Sequence, residues 1–371
     1  MNEDKATRYH HLNRRATLLW TLPCAAGLVA LMNAGGSRLL RDTVMALTGA
    51  GPAAPSTVAL YTVALMLAYH ALLLPLAAYQ GFVLERRFGL RAASFADWLL
   101  DFAKAAAVLI VPAAGAAVLV YTTMRWWPHA WWIVSAVCFS AALLGLARIL
   151  PVALLPLFYR IEPLKREELR SRLTALCERA RVPVLGVYEC GLGEKSRRAN
   201  AALVGTGSTR RILLSDTLLA DYSDDEIEII LAHEIGHHVH ADIRAGLLVE
   251  LARITLAFAC GALVLGAVWD RFGLIGPADV AGLPILLVAG ALVFLATAPV
   301  LKAWSRRNER RADEFALALT RQPAAFVSAI RRLSAQNLAE ERPSRPALWF
   351  FHTHPPIDER IESARRFESM S

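Results

Sequence analysis

Charge disappears from this chain in six places. Residues 16–36, 57–80, 105–124 and 130–147 hold no Asp, Glu, Lys or Arg, and after a long polar stretch the same is true of 254–269 and 280–301. A helix needs about 20 apolar residues to cross a bilayer, so the pattern predicts six spans, four before the polar stretch and two after it. The fifth can begin at Ala245 if Glu250 and Arg253 are tolerated. Three apart on one helix, those two can pair with each other or face a wet cavity. The first run is longer than the roughly 7–15 apolar residues of a secretory leader and reads as a retained span. Trp126, Trp127, Trp131 and Trp132 stand where an aromatic belt would sit.

The polar stretch has different periods. Leu169, Leu173, Leu176 and Ala180 form one stripe of a helix over 165–181, and Val182 to Cys190 alternates as a strand does. Residues 199–204 and 211–215 read as two more strands around a Gly205-Thr206-Gly207 hairpin turn. Ser223 followed by Glu226 is a capping box opening a helix that runs through 240. Residues 37–56 and 81–104 read as loops between spans.

Composition sharpens this picture. Of 371 residues, 56% are hydrophobic and 19% charged, against about 45–50% and 25% in soluble domains, which excludes a disordered chain and argues against a soluble globule. A net charge of +8 suits anionic lipid or nucleic acid. In a chain this apolar we read it as lipid and predict no nucleic-acid partner. Lys and Arg concentrate on the N-terminal tail, the 81–104 loop and the polar regions, placing these on the cytoplasmic side of the cell membrane. The five Cys form no CxxC pair, so neither a disulfide framework nor a Cys-based metal site is implied.

One cluster carries chemistry. His233-Glu234-Ile235-Gly236-His237 lies in the capped helix. Histidines four apart stand about 40° apart around a helix, so both imidazoles can reach one zinc ion, and Glu234 can act as general base toward water there. His238 and His240 step off that face and read as solvated or supporting residues rather than ligands. A catalytic site needs a third protein ligand and an open position. Glu309 and Asp313, four apart just after the sixth span, could supply a ligand and a hydrogen-bond acceptor for a ligand His, or could be only a solvated charged face.

The series HEIGH, two spans, then SRRNERRAD resembles the integral-membrane zinc metalloproteases of the CAAX prenyl protease type I family, related to the HtpX-type bacterial proteases. The stretches GFVLERRFGL (81–90), DWLLDFAK (97–104), LPLFYRIEPL (155–164), Asn200-Ala201 with RILLSDTLL (211–219), and HTHPPIDERI (352–361) extend the resemblance over roughly residues 60–365. The resemblance implies zinc held by His233, His237 and Glu309, with Glu234 as base and Asp313 behind a ligand. It places Asn200 and Ala201 on an edge strand to which a substrate peptide adds as a further strand. His354 and Arg360 would contact the substrate carbonyl region and stabilise the oxyanion.

The expected fold is a multi-pass α-helical membrane protein with a small α+β zincin-like catalytic domain formed from 159–244 and the C-terminal tail. The expected division is a four-span region over 1–158, the catalytic region 159–244, two spans within 245–301, and a C-terminal segment 302–371 carrying the third ligand. The expected activity is a zinc metalloendopeptidase acting on membrane-associated polypeptides. The Ala- and Arg-rich composition suggests a bacterial chain, favouring quality control over CAAX-type processing of lipidated tails. A non-catalytic scaffold or transporter is the reading from another class.

Overall fold

The computed structural model describes residues 2–91, 93–153, 159–193, 196–205, 210–340 and 342–370. The N-terminal region is helical: α1 (Asn2–Asn33), α2 (Gly36–Thr48), α3 (Pro55–Ala78), α4 (Phe95–Trp126) and α5 (Trp131–Ala153). The polar region follows with β1 (Ile161–Pro163), α6 (Glu167–Arg179), β2 (Gly186–Cys190), β3 (Ala201–Val204), β4 (Arg211–Ser215), the short α7 (Asp216–Asp221) and α8 (Asp224–Val239). Two long helices, α9 (Asp242–Val268) and α10 (Leu283–Thr320), precede α11 (Pro323–Asn337), α12 (Arg345–Phe350) and α13 (Ile357–Met370).

Six helices are long and apolar enough to span a membrane, beginning at Lys5, Pro55, Phe95, Trp131, Asp242 and Val280. Inside the bundle Val58, Tyr61, Ala117, Tyr121, Leu265 and Leu283 share one core. Outside it Leu19, Val111, Leu263 and Val300 are each more than 70% exposed. Apolar surface on that scale needs a hydrocarbon solvent, and this is a multi-pass membrane protein. Glu250 and Arg253 do pair, at 2.6 Å, with the guanidinium 3.9 Å over the Phe294 ring.

Three sequence expectations change. Residues 37–56 hold α2, whose 13 residues reach only about 20 Å. Its buried Arg41 pairs with buried Asp279, which also accepts from the Ile275 and Ala281 amides. Residues 81–87 continue α3 through a π-helical turn, Tyr79–Leu84, and one α turn, so the 81–104 loop shrinks to the stretch before Ser94 caps α4. Among the tryptophans, Trp126 and Trp127 are exposed as a belt requires, but Trp131 packs in the bundle core.

The sheet runs β1-β2-β4-β3. β1 is antiparallel to β2, β2 parallel to β4, and β3 antiparallel to β4, with Ala201 opposite Leu214. The antiparallel β3–β4 pair fits the expected hairpin, while Thr206 and Gly207 lie outside the described residues, as do 155–158 of the LPLFYRIEPL stretch. Leu169, Leu173 and Leu176 of α6 pack with Val187, Ile212 and Leu214 of the sheet and Ile227 and Leu231 of α8. Ala316, Phe326, Ala329, Ile361 and Ala364 complete that core, so segments on both sides of the last two spans close one catalytic unit.

Candidate active site

Helix α8 begins where the sequence says it should. The Ser223 amide donates to Glu226 Oε2 at 2.9 Å, and the Glu226 amide donates to Ser223 Oγ at 3.3 Å. Ser328 and Arg332 of α11 also bond Glu226, so the cap is tied to the C-terminal helices. Three turns on, Gly236 faces α10. A Cβ there would stand 3.0 Å from the Ala312 Cα, so only glycine lets the helices approach this closely. That contact brings His233 and His237 to Glu309.

His233 Nε2 lies 3.2 Å from Glu309 Oε2, and His237 Nε2 lies 3.4 Å from Glu309 Oε1. The donor atoms of the three residues lie within 4.8 Å of one another. Metal–ligand bonds of about 2.0–2.2 Å at tetrahedral angles separate donor atoms by about 3.3 Å, so this set fits a four-coordinate metal with one position left open. Each imidazole is aimed from behind. His233 Nδ1 donates to Asp313 Oδ1 at 2.8 Å, and His237 Nδ1 donates to Asp242 Oδ2 at 2.9 Å, leaving both Nε2 atoms toward Glu309. Burial opposes a charge on His233, but the hydrogen bonds of Asp313 and Glu309 outweigh it and raise its pKa to about 10. His237 is raised against the same opposition by Glu309 and Asp242. Protonated, the two imidazoles supply the positive charge these carboxylates require. Burial pushes the Glu234 carboxyl up, with His233 and His237 opposing.

Three other expected site residues have partners of their own. Arg360 donates from Nε and Nη2 to the two Asp313 oxygens at 2.7 and 2.6 Å, so it backs the His233–Asp313 pair. His354 is largely exposed but donates from Nδ1 to Glu309 Oε2 at 2.7 Å. Asn200 lies one residue before β3, with an exposed side chain; its main chain pairs with Ser215. His238 and His240 are half-buried. His238 Nε2 donates to the Leu203 carbonyl at 3.2 Å, and His240 stands edge-on to Phe315.

Sequence reasoning missed Asp242. It follows Ala241, whose left-handed φ of 57° breaks α8 from α9 and turns the carboxylate back to His237. It also missed Arg306 and Arg310. Arg306 donates to the Leu348 and His352 carbonyls, and Arg310 pairs with Glu359. With Glu309 and Asp313 they form an i, i+3, i+4, i+7 stripe, and every member holds part of 348–360. The N-terminal helix helps: His10 donates to the Leu338 carbonyl and Arg14 pairs with Glu340. The result is a cleft of about 450 Å³ with Ala201, Ile229, His233, Glu234, His354 and Arg360 on its walls.

Comparison with known proteins follows this division. Residues 163–368 match peptidase family M48, and residues 3–160 match the CAAX prenyl protease N-terminal region of five membrane helices. Here that region has four span-length helices plus the short α2. The chain belongs to peptidase family M48, a metallopeptidase family, which implies a metal at this site. An uncharacterized metalloprotease, YhfN of Bacillus subtilis, is 34% identical over 253 residues, 66% of this chain. CAAX prenyl protease 1 of Saccharomyces cerevisiae is 31% identical over 166 residues, 44% of this chain. The chain spans 57% and 36% of those relatives' own lengths. The fold matches S. mikatae Ste24p with a TM-score of 0.84 at 20% identity, over 98% of this chain and 88% of that one.

Proposed function

We propose that the protein is a membrane-embedded zinc endopeptidase with His233, His237 and Glu309 as zinc ligands and Glu234 as general base. The observation that carries this reading is the convergence of the two Nε2 atoms on the Glu309 carboxylate, with His233 and Glu234 lining the cleft beside it. Two His and one Glu make a common catalytic zinc set. When bound, zinc acidifies water at its open position and polarises a peptide carbonyl.

The chain's own residues do the rest. Glu234 takes the proton of the attacking water and passes it to the leaving amine, and burial has raised its affinity for that proton. Asp313, clamped by Arg360, keeps His233 in the tautomer that presents Nε2, and Asp242 does the same for His237. His354 moves from Glu309 Oε2 to the carbonyl oxygen as charge develops there, a contact that favours the transition state over the ground state. The peptide pairs with β3, the edge strand of the sheet.

The substrates are polypeptides presented at the cytoplasmic face of the cell membrane, as the distribution of Lys and Arg suggests. The relatives named as CAAX prenyl proteases support lipidated tails as a second substrate class. The test joins metal to activity. Wild type, Glu234→Gln and Glu309→Ala are purified in detergent, zinc per chain is measured, and cleavage of an unfolded reporter is followed. The reading requires about one zinc in wild type and Glu234→Gln, cleavage by wild type alone, and loss of zinc in Glu309→Ala. Unchanged cleavage by Glu234→Gln would overturn it.

A further inference from the structure

We propose that Asn337 and His238 are stops on the substrate edge of the sheet, so that an extended peptide is held there by one residue, paired to Ala201 through both its N–H and its C=O. This rests on the peptidase reading above and adds how the site measures its substrate.

The argument is an accounting of main-chain groups along 197–203. In an antiparallel pair, residues alternate between bonding their partner and pointing away from it. Asn200 bonds Ser215 in both directions, with its amide going to the Ser215 Oγ, and Arg198 C=O accepts from Thr217 Oγ1. The even residues therefore face β4. The odd ones, 197, 199, 201 and 203, face the open edge. Buried main-chain groups are almost always paired, so the open edge can be read group by group.

At 197 the amide donates to Leu90 C=O, and the carbonyl accepts from Gln336 Nε2 at 3.0 Å. At 199 the Asn337 amide acts as a whole added residue: Oδ1 accepts from the Ala199 N–H and Nδ2 donates to its C=O, both at 3.1 Å. At 203 the carbonyl is taken by His238 Nε2. Among the described residues, Ala201 alone along this edge keeps both groups unbonded. Ala201 also shares the cleft with His233 and Glu234, so the vacant pair lies at the site and the filled ones flank it. Two side chains on different helices, α11 and α8, thus leave a slot at Ala201, among the described residues the edge residue with both groups open.

Such a slot grips any sequence through main chain but gives no extended zipper, which suits an enzyme acting on short or poorly ordered segments. The test is an ester scan. A long peptide that wild type cleaves is made with single amide-to-ester replacements at each position except the scissile bond, and KM and kcat are measured. Each replacement deletes one N–H donor. In wild type one position raises KM, by about five- to tenfold, with kcat little changed. In Asn337→Ala a second sensitive position arises two residues away, because Ala199 C=O is freed. In His238→Ala it arises two residues away on the other side, at Leu203 C=O. The variants open opposite ends, and thermal melts show which are folded. The slot is overturned if active wild type shows several sensitive positions or none, or if both folded variants repeat the wild-type scan. A wild type that cleaves no peptide overturns the peptidase reading, and the slot with it.

Discussion

The two histidines of the candidate site are supported from opposite sides and by unequal means. On the inner side, toward the C-terminal helices, His233 leans on Asp313, which is buried and clamped by Nε and Nη2 of Arg360. On the outer side, toward the membrane, His237 leans on Asp242, which Arg311 approaches only to 3.8 Å. The inner support joins α8, α10 and α13, which are 80 and 47 residues apart at the contacts. The outer one is local, five residues along the chain. The inner arrangement makes the site conditional on the whole fold, whereas the outer one needs only the break at Ala241.

Removing each support measures that inequality. Asp313→Ala is expected to cost the larger part of the 10–100-fold in metal affinity typical of such partners. It also leaves the Arg360 guanidinium buried without its counter-ion, a loss of about 3–5 kcal/mol in stability. Asp242→Ala is expected to weaken metal binding by about tenfold and to lower stability by under 1 kcal/mol. Chelator competition and melts in detergent read both. Equal losses in the two variants would mean that the Arg360 clamp contributes nothing beyond the single hydrogen bond.

Gly236→Ala probes the inner side without touching a polar atom. The new Cβ meets the Ala312 main chain at 3.0 Å and its Cβ and carbonyl at 3.3 Å, so α10 must shift by a few tenths of an ångström. Overpacking of that kind costs about 1–3 kcal/mol and moves Glu309 and Asp313 together. Metal affinity is expected to fall several-fold.

Protons test both sides at once. The pKa of His233 rises from an unfolded value near 6.5 to about 10 in the fold. A group raised on folding stabilises fully below its unfolded pKa and stops doing so as pH climbs through the folded one. Metal-free protein should therefore lose stability from about pH 6.5 toward pH 10, while metal-loaded protein, whose imidazoles are neutral ligands, should not. Melts with and without chelator at both ends of that range check this. Parallel curves would show that His233 is not the group responsible.

The inner and outer supports were not equally visible in the sequence. His233, Glu234 and His237 announce themselves by spacing, whereas the shared helix face of Glu309 and Asp313 could equally be a solvated one, and only the family resemblance singled them out. The spans are visible because hydrocarbon tolerates so little charge. Asp242 escaped notice because its position depends on one left-handed residue, and no composition rule places an alanine there. Asn337 and Arg306 escaped because each acts on main-chain atoms far along the chain, and a carbonyl leaves no mark in a sequence. The Arg360 contact with Asp313 escaped for a similar reason. A lone arginine near the C-terminus cannot show that a buried carboxylate will take its Nε and Nη2 donors.

The break at Ala241 offers the mildest test of the outer side. A left-handed φ of 57° brings the alanine Cβ close to the next carbonyl, at a cost of about 1–2 kcal/mol that glycine does not pay. Glycine loses about 0.5–1 kcal/mol more to the unfolded chain. Ala241→Gly should therefore raise stability by at most about 1.5 kcal/mol. Its effect on the metal is the informative part. If the turn geometry alone aims Asp242, metal affinity stays as in wild type, because glycine holds the same φ without strain. If instead the alanine methyl restricts that turn, glycine frees it, and affinity drifts toward that of Asp242→Ala while Asp313 and Arg360 remain in place. The outer support would then depend on a methyl group, where the inner one depends on two buried ions.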